Sequence, residues 1–359
     1  MRSSQYQKQT KPKDSKIQQQ QRQQTHMQKK EGLLVRRGVI KSEMFKGDGG
    51  GASVCRYGIK KLLILLENNN NGICPFQSIY QFGDSISDVG NLIRLGPAGA
   101  RTSSSRFPYG ETIRRPTGRS SNGLLMIDYI ATALGLPRLN PYLDRTASVQ
   151  QGLRRSLVFL GEVGGNDYNN AFFQHKPVEE IRSYVPQVVS GITNAVRQVI
   201  RAGAVRVVVP GNFPIGCIPI YLTSFPSDDP SAYDDTNCLR NLNEFAVYHN
   251  DYLRRALQPL RREYPRVVIL YGDYYTAFQS VLHRAPLLGF DGTSLMKVCC
   301  GVGGLYNFNT NRMCGLPGVP VCPNPAQRIH WDGIHLTQEA YSHMSEWLLN
   351  DLLPQMQCA

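Results

Sequence analysis

Apolar residues in this 359-residue chain follow two alternating patterns. The first consists of short runs rich in apolar residues, each as long as a typical buried strand. These runs lie at residues 76–82, 157–160, 205–209 and 267–270. In the second, apolar residues recur every three or four positions, as in amphipathic helices, at residues 122–136, 179–202, 234–264 and 337–352. Short apolar strands that alternate with amphipathic helices predict a parallel sheet with helices on both faces. We therefore expect a three-layer α/β/α sandwich with a mostly parallel sheet.

Residues at the ends of the predicted helices support these boundaries. Pro137 follows the first helix, Gly203 ends the second, and Thr337 can cap the start of the last. Pro186 lies inside the second helix and is expected to kink or restart it. The alternation predicts one domain over 73–359, near the upper size limit for a single core.

The first 72 residues show no sustained apolar period and are rich in Gln, Lys, Arg and Gly. We expect a disordered N-terminal extension at 1–72. It carries 15 Lys and Arg against 5 Asp and Glu, a net charge of +10, so only +3 of the total +13 belongs to 73–359. Few aromatic residues are interleaved with these charges, so no nucleic-acid partner is expected.

Targeting signals in this extension are weak. Lys60 and Lys61 precede a run of five apolar residues at 62–66, whereas a secretory leader needs about 7 to 15. We therefore see no intact signal peptide in the sequence. No stretch approaches the ~20 apolar residues of a membrane span, so no transmembrane segment is expected.

The first apolar run stops at Gly83, and Ser85 follows in the triplet Gly-Asp-Ser. In open α/β sheets, ligands bind at the carboxyl ends of the strands, because loops diverge there and helix N-termini supply N–H donors. Ser85 is therefore a candidate nucleophile. The same triplet is also common in ordinary turns, so a catalytic interpretation of Ser85 requires a base and an acid elsewhere in the chain.

Two further segments supply such partners. Asp332 and His335 stand three residues apart in a predicted turn, where the carboxylate can meet one ring nitrogen and leave the other free for a serine. Asn166 follows the second strand in the sequence Gly-Gly-Asn-Asp, and its amide can donate a hydrogen bond to an oxyanion. These residues together predict a serine-based acyl-transfer site.

Among the seven histidines, the neighbouring acid and the turn favour His335 over His330 as the base. The helical stretches contain His249, His283 and His343, which we expect to be surface residues or satisfied core residues.

Several acidic and amide residues have a structural interpretation instead. Asp and Asn side chains in turns bond the nearby backbone, so Asp84, Asp88 and Asn91 are expected to shape the loop around Ser85. The same interpretation applies to Asp128 and Asp167.

These blocks, in this order, resemble those of the plant GDSL esterase/lipase family, a branch of the SGNH hydrolases. The similarity extends from about residue 72 to the C-terminus and includes Gly-Asp-Ser at 83–85, Gly-Gly-Asn-Asp at 164–167 and Asp-x-x-His at 332–335. The resemblance implies a flavodoxin-like SGNH hydrolase domain with Ser85 as nucleophile, His335 as general base and Asp332 as its orienting acid. It also implies that Asn166 and the backbone N–H of Ser85 donate to the oxyanion.

The resemblance implies hydrolysis of carboxylic esters through an acyl-enzyme, with small or lipid-like acyl esters as substrates, choline-like and alkaloid esters among them. It further implies a secreted protein, and we expect a monomer whose partner is a small-molecule ester. No cofactor is expected. No metal is expected either, because the cysteines do not form Cys-x-x-Cys pairs.

One part of the family pattern is missing. Between Leu136 and Ser156 no β-branched run is long enough for a strand, and no residue takes the role of the family's oxyanion glycine. The chain resembles a member that lacks one edge strand and the glycine block. We expect the exposed neighbouring strand to lower solubility and the lost donor to lower turnover. The alternative function is therefore a catalytically impaired or inactive protein, with a binding role or none.

Nine cysteines are many for a reduced protein of this size and suit a secreted fold with disulfides. Cys217 and Cys238 can pair with each other. Four further cysteines lie in one loop, and the sequence does not decide among their three possible pairings. They are Cys299, Cys300, Cys314 and Cys322.

Overall fold

The computed structural model of the protein describes residues 76–144 and 152–356. The predicted extension at 1–72 and the short apolar run at 62–66 lie outside the described residues. Within the described residues, no helix is both long enough and apolar enough to cross a membrane.

Four parallel strands form the central sheet, in the spatial order β1-β2-β3-β4. They are β1 (Ser78–Phe82), β2 (Ser156–Leu160), β3 (Arg206–Pro210) and β4 (Val268–Gly272). Their ends are aligned, since Phe82 lies opposite Leu160 and Pro210 lies opposite Gly272. The carboxyl ends of all four strands therefore meet at one edge of the sheet, and the loops that follow them share that edge.

Helices connect and cover the strands. In chain order they are α1 (Gly96–Gly99), α2 (Met126–Ala133), α3 (Gly165–Phe172), α4 (Val178–Arg201), α5 (Pro219–Ser224), α6 (Arg240–Glu263), α7 (Tyr274–His283) and α8 (Gln338–Leu352). Helices α4 and α6 pack against each other on one side of the sheet, and α8 packs against α2 and α7 on the other. The predicted three-layer α/β/α sandwich with a parallel sheet is confirmed.

The central strands are almost entirely buried, as expected for a sheet covered on both faces. All five residues of β2 are buried, and Val207, Val208 and Val209 of β3 are at most 1% exposed. Helix α4 runs through Pro186 without interruption, so the predicted restart there is wrong.

Two helices begin later than the apolar period suggested. Helix α6 begins at Arg240 and not near Asp234, because the Asp234 carboxylate accepts hydrogen bonds from the backbone N–H groups of Thr236 and Cys238 and forms a turn. Helix α2 begins four residues after Asn122, whose side chain instead accepts from the N–H of Gln338. At Asp234 the side chain bonds backbone that a helix would have used, whereas Asn122 joins the start of α2 to the start of α8.

The expected absence of one edge strand stays a prediction, because residues 145–151 lie outside the described residues. Residues 137–144 and 152–155 form no strand, and β1 stands at one end of the four-stranded sheet. The expected effect on solubility stays a prediction.

Three disulfides are present among the described cysteines. Cys217 is bonded to Cys238, Cys299 to Cys322, and Cys300 to Cys314. The structure thus selects one of the three pairings that the sequence left open in the cysteine-rich loop.

Asp128 does more than the turn-shaping predicted for it. Its carboxylate accepts from the N–H of Leu125 at the start of α2 and also from Nε and Nη2 of Arg119, each at 2.8 Å. Both charged groups are buried, and Arg119 donates further to the carbonyls of Val89 and Leu139. This ion pair holds the long connection after β1 against α2.

Candidate active site

The turn after β1 is tied to the turn after β2. The carbonyl of Gly161 accepts hydrogen bonds from Gln81 Nε2 at 2.6 Å and from Ser87 Oγ at 3.0 Å. Gly83 has φ +150°, and a side chain there would approach Ser87 Oγ to 2.5 Å and the Gly161 carbonyl to 2.9 Å. Glycine at position 83 thus lets the two turns pack closely and fixes the backbone that carries Ser85.

Ser85 and His335 meet at the strand ends, although 250 residues separate them. Ser85 Oγ lies 2.7 Å from His335 Nε2, and His335 Nδ1 lies 2.7 Å from Asp332 Oδ2. With Nδ1 donating to the carboxylate, Nε2 is the acceptor for the serine hydroxyl. The structure therefore brings together the three residues that the sequence singled out as nucleophile, base and acid.

The Asp332 carboxylate is 3% exposed and receives four donors. Its Oδ1 accepts from the backbone N–H groups of Ile334 and His335, and its Oδ2 accepts from His335 Nδ1 and from the hydroxyl of Tyr109 at 2.6 Å. A carboxylate with several donors is held in its charged form and in one orientation. The ring of His335 is oriented by the same contacts.

Tyr109 is a functional-site residue that sequence reasoning missed. Its ring is 4% exposed and packs edge-on against Trp331, with ring centres 6.0 Å apart, in a buried cluster with Cys299, Cys300 and Cys314. No sequence spacing connects it to Asp332, which is 223 residues away. A tyrosine in the loop segment 106–110 carries no pattern that predicts such a contact.

The disulfide-bonded loop holds the backbone on which Asp332 stands. Cys299 N–H donates to the carbonyl of His330, and Cys300 N–H donates to the carbonyl of Trp331. Gly333 has φ +95°, and a side chain there would meet the ring of Phe308 at 2.3 Å. The tight Asp-Gly-Ile-His turn therefore requires glycine at its second position.

The acid and the base perturb each other's pKa in opposite directions. Burial opposes the ionisation of Asp332, but the charge and hydrogen bond of His335, together with the Tyr109 hydroxyl, outweigh it and lower the pKa of Asp332. Burial likewise opposes the protonation of His335, but the charge and hydrogen bond of Asp332, with a smaller contribution from Asp84, raise the pKa of His335. The pair thus favours an ionised acid and an imidazole that accepts a proton readily.

Asn166 lies near this group, at the second residue of α3. Its Nδ2 donates to Asp84 Oδ2 at 3.1 Å, and Asp84 Oδ1 accepts from the N–H of Ile86. Asp84 therefore bonds nearby backbone, as expected for a turn residue, and also holds the Asn166 amide. An amide group has two N–H donors, so a second one is available at Asn166.

Glu162 is a second residue that sequence reasoning missed. It stands two residues after β2, is 2% exposed, and accepts from the N–H of Gly165 at 2.8 Å. A side-chain hydrogen bond joins it to Asp84. The signal was available in the sequence, since a carboxyl group directly after a fully apolar strand is expected to be buried and to need a partner.

His330 is buried and packs against Phe278, with ring centres 5.8 Å apart. Burial lowers its pKa to about 3, so its ring stays neutral. His249 on α6 is also buried; its Nδ1 lies 2.7 Å from the Tyr168 hydroxyl, and burial lowers its pKa to about 4. Neither ring contacts Ser85, in line with the preference for His335.

The remaining turn residues act on backbone, as expected. Asp88 accepts from the N–H groups of Gly90, Asn91 and Leu92, and Asn91 Oδ1 accepts from the N–H of Leu143. Within residues 76–144 and 152–356, no group of three or more His, Cys, Asp or Glu side chains has the arrangement of a metal site.

Comparison with known proteins agrees with this geometry. Residues 79–348 match the family model described as GDSL-like lipase/acylhydrolase. Curated relatives include a GDSL esterase/lipase of Arabidopsis thaliana, 50% identical over 79% of this chain and 92% of its own length. They also include acetylajmalan esterase 2 of Rauvolfia serpentina, at 41% identity over 80% and 93%, and sinapine esterase of Brassica napus, at 35% over 80% and 88%.

The alignments also contain positions that this chain lacks. The alignment with acetylajmalan esterase 2 has 343 positions but covers only 80% of this 359-residue chain. That share of the chain contains fewer residues than the alignment has positions. The match with sinapine esterase, over 345 positions and 80% of the chain, has the same property. These relatives therefore carry segments without a counterpart here.

The Tyr109 contact predicts the effect of removing one hydroxyl. Tyr109→Phe should lower the free energy of unfolding at neutral pH by about 1.5 to 3 kcal/mol, the usual contribution of a hydrogen bond to a charged group. The pKa of Asp332 is lower in the folded protein than in the unfolded chain. The ionised carboxylate therefore stabilises the fold at pH values above the unfolded pKa, and this stabilisation is lost as the pH falls through the folded pKa. The difference between variant and parent should therefore shrink on acidification.

Denaturant titrations at several pH values measure this difference. Tyr252→Phe, a change at a half-buried tyrosine of α6, is the matched control and should stay near the parent. Equal stability of parent and Tyr109→Phe at neutral pH would contradict the proposed support of Asp332.

Proposed function

The chain belongs to the GDSL-like lipase/acylhydrolase family, and from this premise we propose that it hydrolyses carboxylic esters with Ser85 as the nucleophile. One observation carries the proposal: the hydrogen-bonded series from Ser85 Oγ through His335 to Asp332, with both contacts at 2.7 Å. A serine hydroxyl, an imidazole and a buried carboxylate in this order are the groups that acyl transfer needs.

The reaction begins when Ser85 Oγ attacks the acyl carbon of the ester. His335 Nε2 takes the hydroxyl proton, and the ionised Asp332 stabilises the imidazolium that forms. The tetrahedral intermediate collapses when His335 gives this proton to the leaving alcohol. Water then attacks the acyl-enzyme with His335 again as the base, which releases the acid and restores Ser85.

The negative charge of the tetrahedral intermediate requires donors aimed at the former carbonyl oxygen. The backbone N–H of Ser85 and the second N–H of Asn166 Nδ2 supply two. Support for Asn166 comes from its hydrogen bond to Asp84, which holds the amide beside the turn that carries Ser85. The third donor of the family pattern, a glycine N–H, has no counterpart in the sequence.

The substrate is a small or lipid-like acyl ester, and no cofactor takes part. Relatives whose names are acetylajmalan esterase and sinapine esterase support a small-molecule ester. The protein acts as a monomer.

The protein is exported, and the three disulfides support this assignment. Disulfides persist in oxidising compartments and are rare in the cytosol. Two of them connect the loop whose backbone supports Asp332.

Replacing the proposed nucleophile should remove the activity. Ser85→Ala should lower hydrolysis of a short-chain nitrophenyl ester to the uncatalysed background, because no hydroxyl remains to form the acyl-enzyme. A phosphonate probe should label the parent and not the variant. Ser190→Ala, on the exposed side of α4, is the control and should keep the parent's rate and labelling. Parent-level turnover in Ser85→Ala would refute the assignment.

The pKa of His335 predicts the acidic side of the activity profile. A base acts only when unprotonated, so kcat/KM should rise with pH through the pKa of His335, which lies above that of an ordinary histidine. His335→Gln should lose both this rise and most of the rate, whereas His283→Gln, at an exposed residue of α7, should keep both. An unchanged rise in His335→Gln would point to a different base.

A second candidate function is an impaired enzyme or a binding protein without turnover. It is favoured by the extra segments of the relatives and by residues 137–144 and 152–155, the described part of this connection, which form no strand. Loss of one oxyanion donor typically lowers turnover by on the order of 10² to 10³.

Insertion of the corresponding segment of a complete relative between Leu136 and Ser156 should therefore raise kcat by a similar factor and increase the soluble yield. An insert of the same length, rich in Gly and Ser, is the control. If the unmodified chain is a stable monomer as active as the grafted one, the missing segment is irrelevant to function.

A further inference from the structure

Two carboxyl groups, Asp84 and Glu162, lie against each other beneath the proposed site. They follow neighbouring strands that end in register, so the turn of each residue begins at the same edge of the sheet. The Gly161 carbonyl bonds to Gln81 and Ser87 and fixes these turns together. A side-chain hydrogen bond joins the two carboxyls, and Glu162 is 2% exposed.

No cation neutralises this pair among the described residues, since neither carboxyl forms a salt bridge with a Lys or Arg of that part of the chain. Glu162 is buried and Asp84 is half-buried, and a buried carboxyl in hydrogen-bond contact with a second carboxylate does not carry a charge of its own, so the pair shares a proton. The question is which of the two carries it.

The donors around each carboxyl answer this question. Asp84 accepts at both oxygens, from the Ile86 N–H and from Asn166 Nδ2. Glu162 accepts the Gly165 N–H at Oε1. Its Oε2 is the oxygen that a side chain at Gly165 would meet first, at 2.9 Å, so position 165 leaves room for the carboxyl. The fuller set of donors favours the charge on Asp84.

We propose that Glu162 keeps its proton and donates it to the Asp84 carboxylate, and that this pair is a positioning device for the amide of Asn166. The inference rests on the proposed ester hydrolysis. If Asp84 held the proton, its hydroxyl would donate, and the Asn166 amide would turn its oxygen toward Asp84. With Asp84 as an acceptor, Asn166 must present Nδ2, and its second N–H is available for the oxyanion.

The electrostatic directions agree with this assignment. Burial, and next the Asp84 charge, raise the pKa of Glu162 well above its usual range. Burial also raises the pKa of Asp84, but the Ile86 N–H, the charge of His335 and the Glu162 hydrogen bond oppose that shift. The other titratable groups whose charges act on Glu162, or respond to it, are Asp167, Tyr168, Tyr221 and Tyr274.

Two variants at position 162 separate a hydrogen-bond donor from a space-filling side chain. Glu162→Gln keeps the shape, the Gly165 contact and a donor to Asp84, so kcat should stay within about threefold of the parent. Glu162→Leu has no donor, so kcat should fall by about 10-fold or more with little change in KM, as expected when oxyanion donors lose their alignment. Glu179→Gln, at an exposed residue of α4, should match the parent.

The pH profile gives a readout that a purely structural role would not change. The parent should lose kcat at alkaline pH as Glu162 is deprotonated, because a second charge then repels Asp84. Glu162→Gln cannot be deprotonated and should lack this decline. An identical alkaline decline in both proteins, or a loss in Glu162→Gln as large as in Glu162→Leu, would overturn the proposal.

Infrared spectroscopy tests the proton without any turnover. The spectrum of the parent at neutral pH should contain the carbonyl stretch of a buried carboxylic acid that is missing in Glu162→Gln. Absence of that band overturns the proposal even if Glu162→Leu misfolds. If the band is present while the phosphonate probe fails to label Ser85, the carboxyl pair stands and the proposed ester hydrolysis fails.

Discussion

The Asp332 carboxylate is buried, and a buried charge is tolerated only where donors compensate for its lost hydration. Four donors do so here, and they come from two parts of the chain: the Asp-Gly-Ile-His turn, with two backbone N–H groups and the ring of His335, and the hydroxyl of Tyr109. Each donor imposes a constraint. The turn needs Gly333, the tyrosine needs Trp331 and the disulfide cluster beside it, and the imidazole is left with Nε2 toward Ser85. The donors that compensate the charge of Asp332 thus determine the conformation of the turn, the packing of the disulfide cluster and the orientation of His335.

The other half of the site depends on the parallel register of β1 and β2. Because the two strands end together, the turns that follow them are neighbours. The carbonyl of Gly161 accepts side-chain donors from Gln81 at the end of β1 and from Ser87 in the turn after it. This places Ser85, Asp84 and Glu162 within one small region although they come from separate segments. The β1 turn therefore supplies the proposed nucleophile, while the β2 turn and the start of α3 supply the groups that hold Asn166.

The patterns of the sequence predicted the strands, most of the long helices and the grouping of Ser85 with Asp332 and His335. They did not predict the contacts of Tyr109 or the pairing within the cysteine-rich loop. Apolar runs located all four strands, and the spacing of Asp332 and His335 predicted their hydrogen bond, because both depend on neighbours in sequence. Helices α3 and α7 were missed, since the first begins in a Gly-Gly-Asn-Asp run that looks like a loop and the second is short and follows a strand closely. The contact of Tyr109 with Asp332 and the disulfide pairing within the cysteine-rich loop could not be predicted from sequence, because tertiary packing decides both.

Charge balance at the strand ends explains why a neutral Glu162 suits the proposed chemistry. The charge of Asp84 is one of the interactions that raise the pKa of His335, after the larger effect of Asp332. A second negative charge on Glu162, in contact with Asp84, would raise that pKa further and leave less of the imidazole unprotonated at neutral pH. It would also oppose the negative charge that forms on the substrate oxygen near Asn166. A protonated Glu162 avoids both effects and still supplies the hydrogen bond that keeps Asp84 an acceptor, so the same proton serves the base and the oxyanion donor.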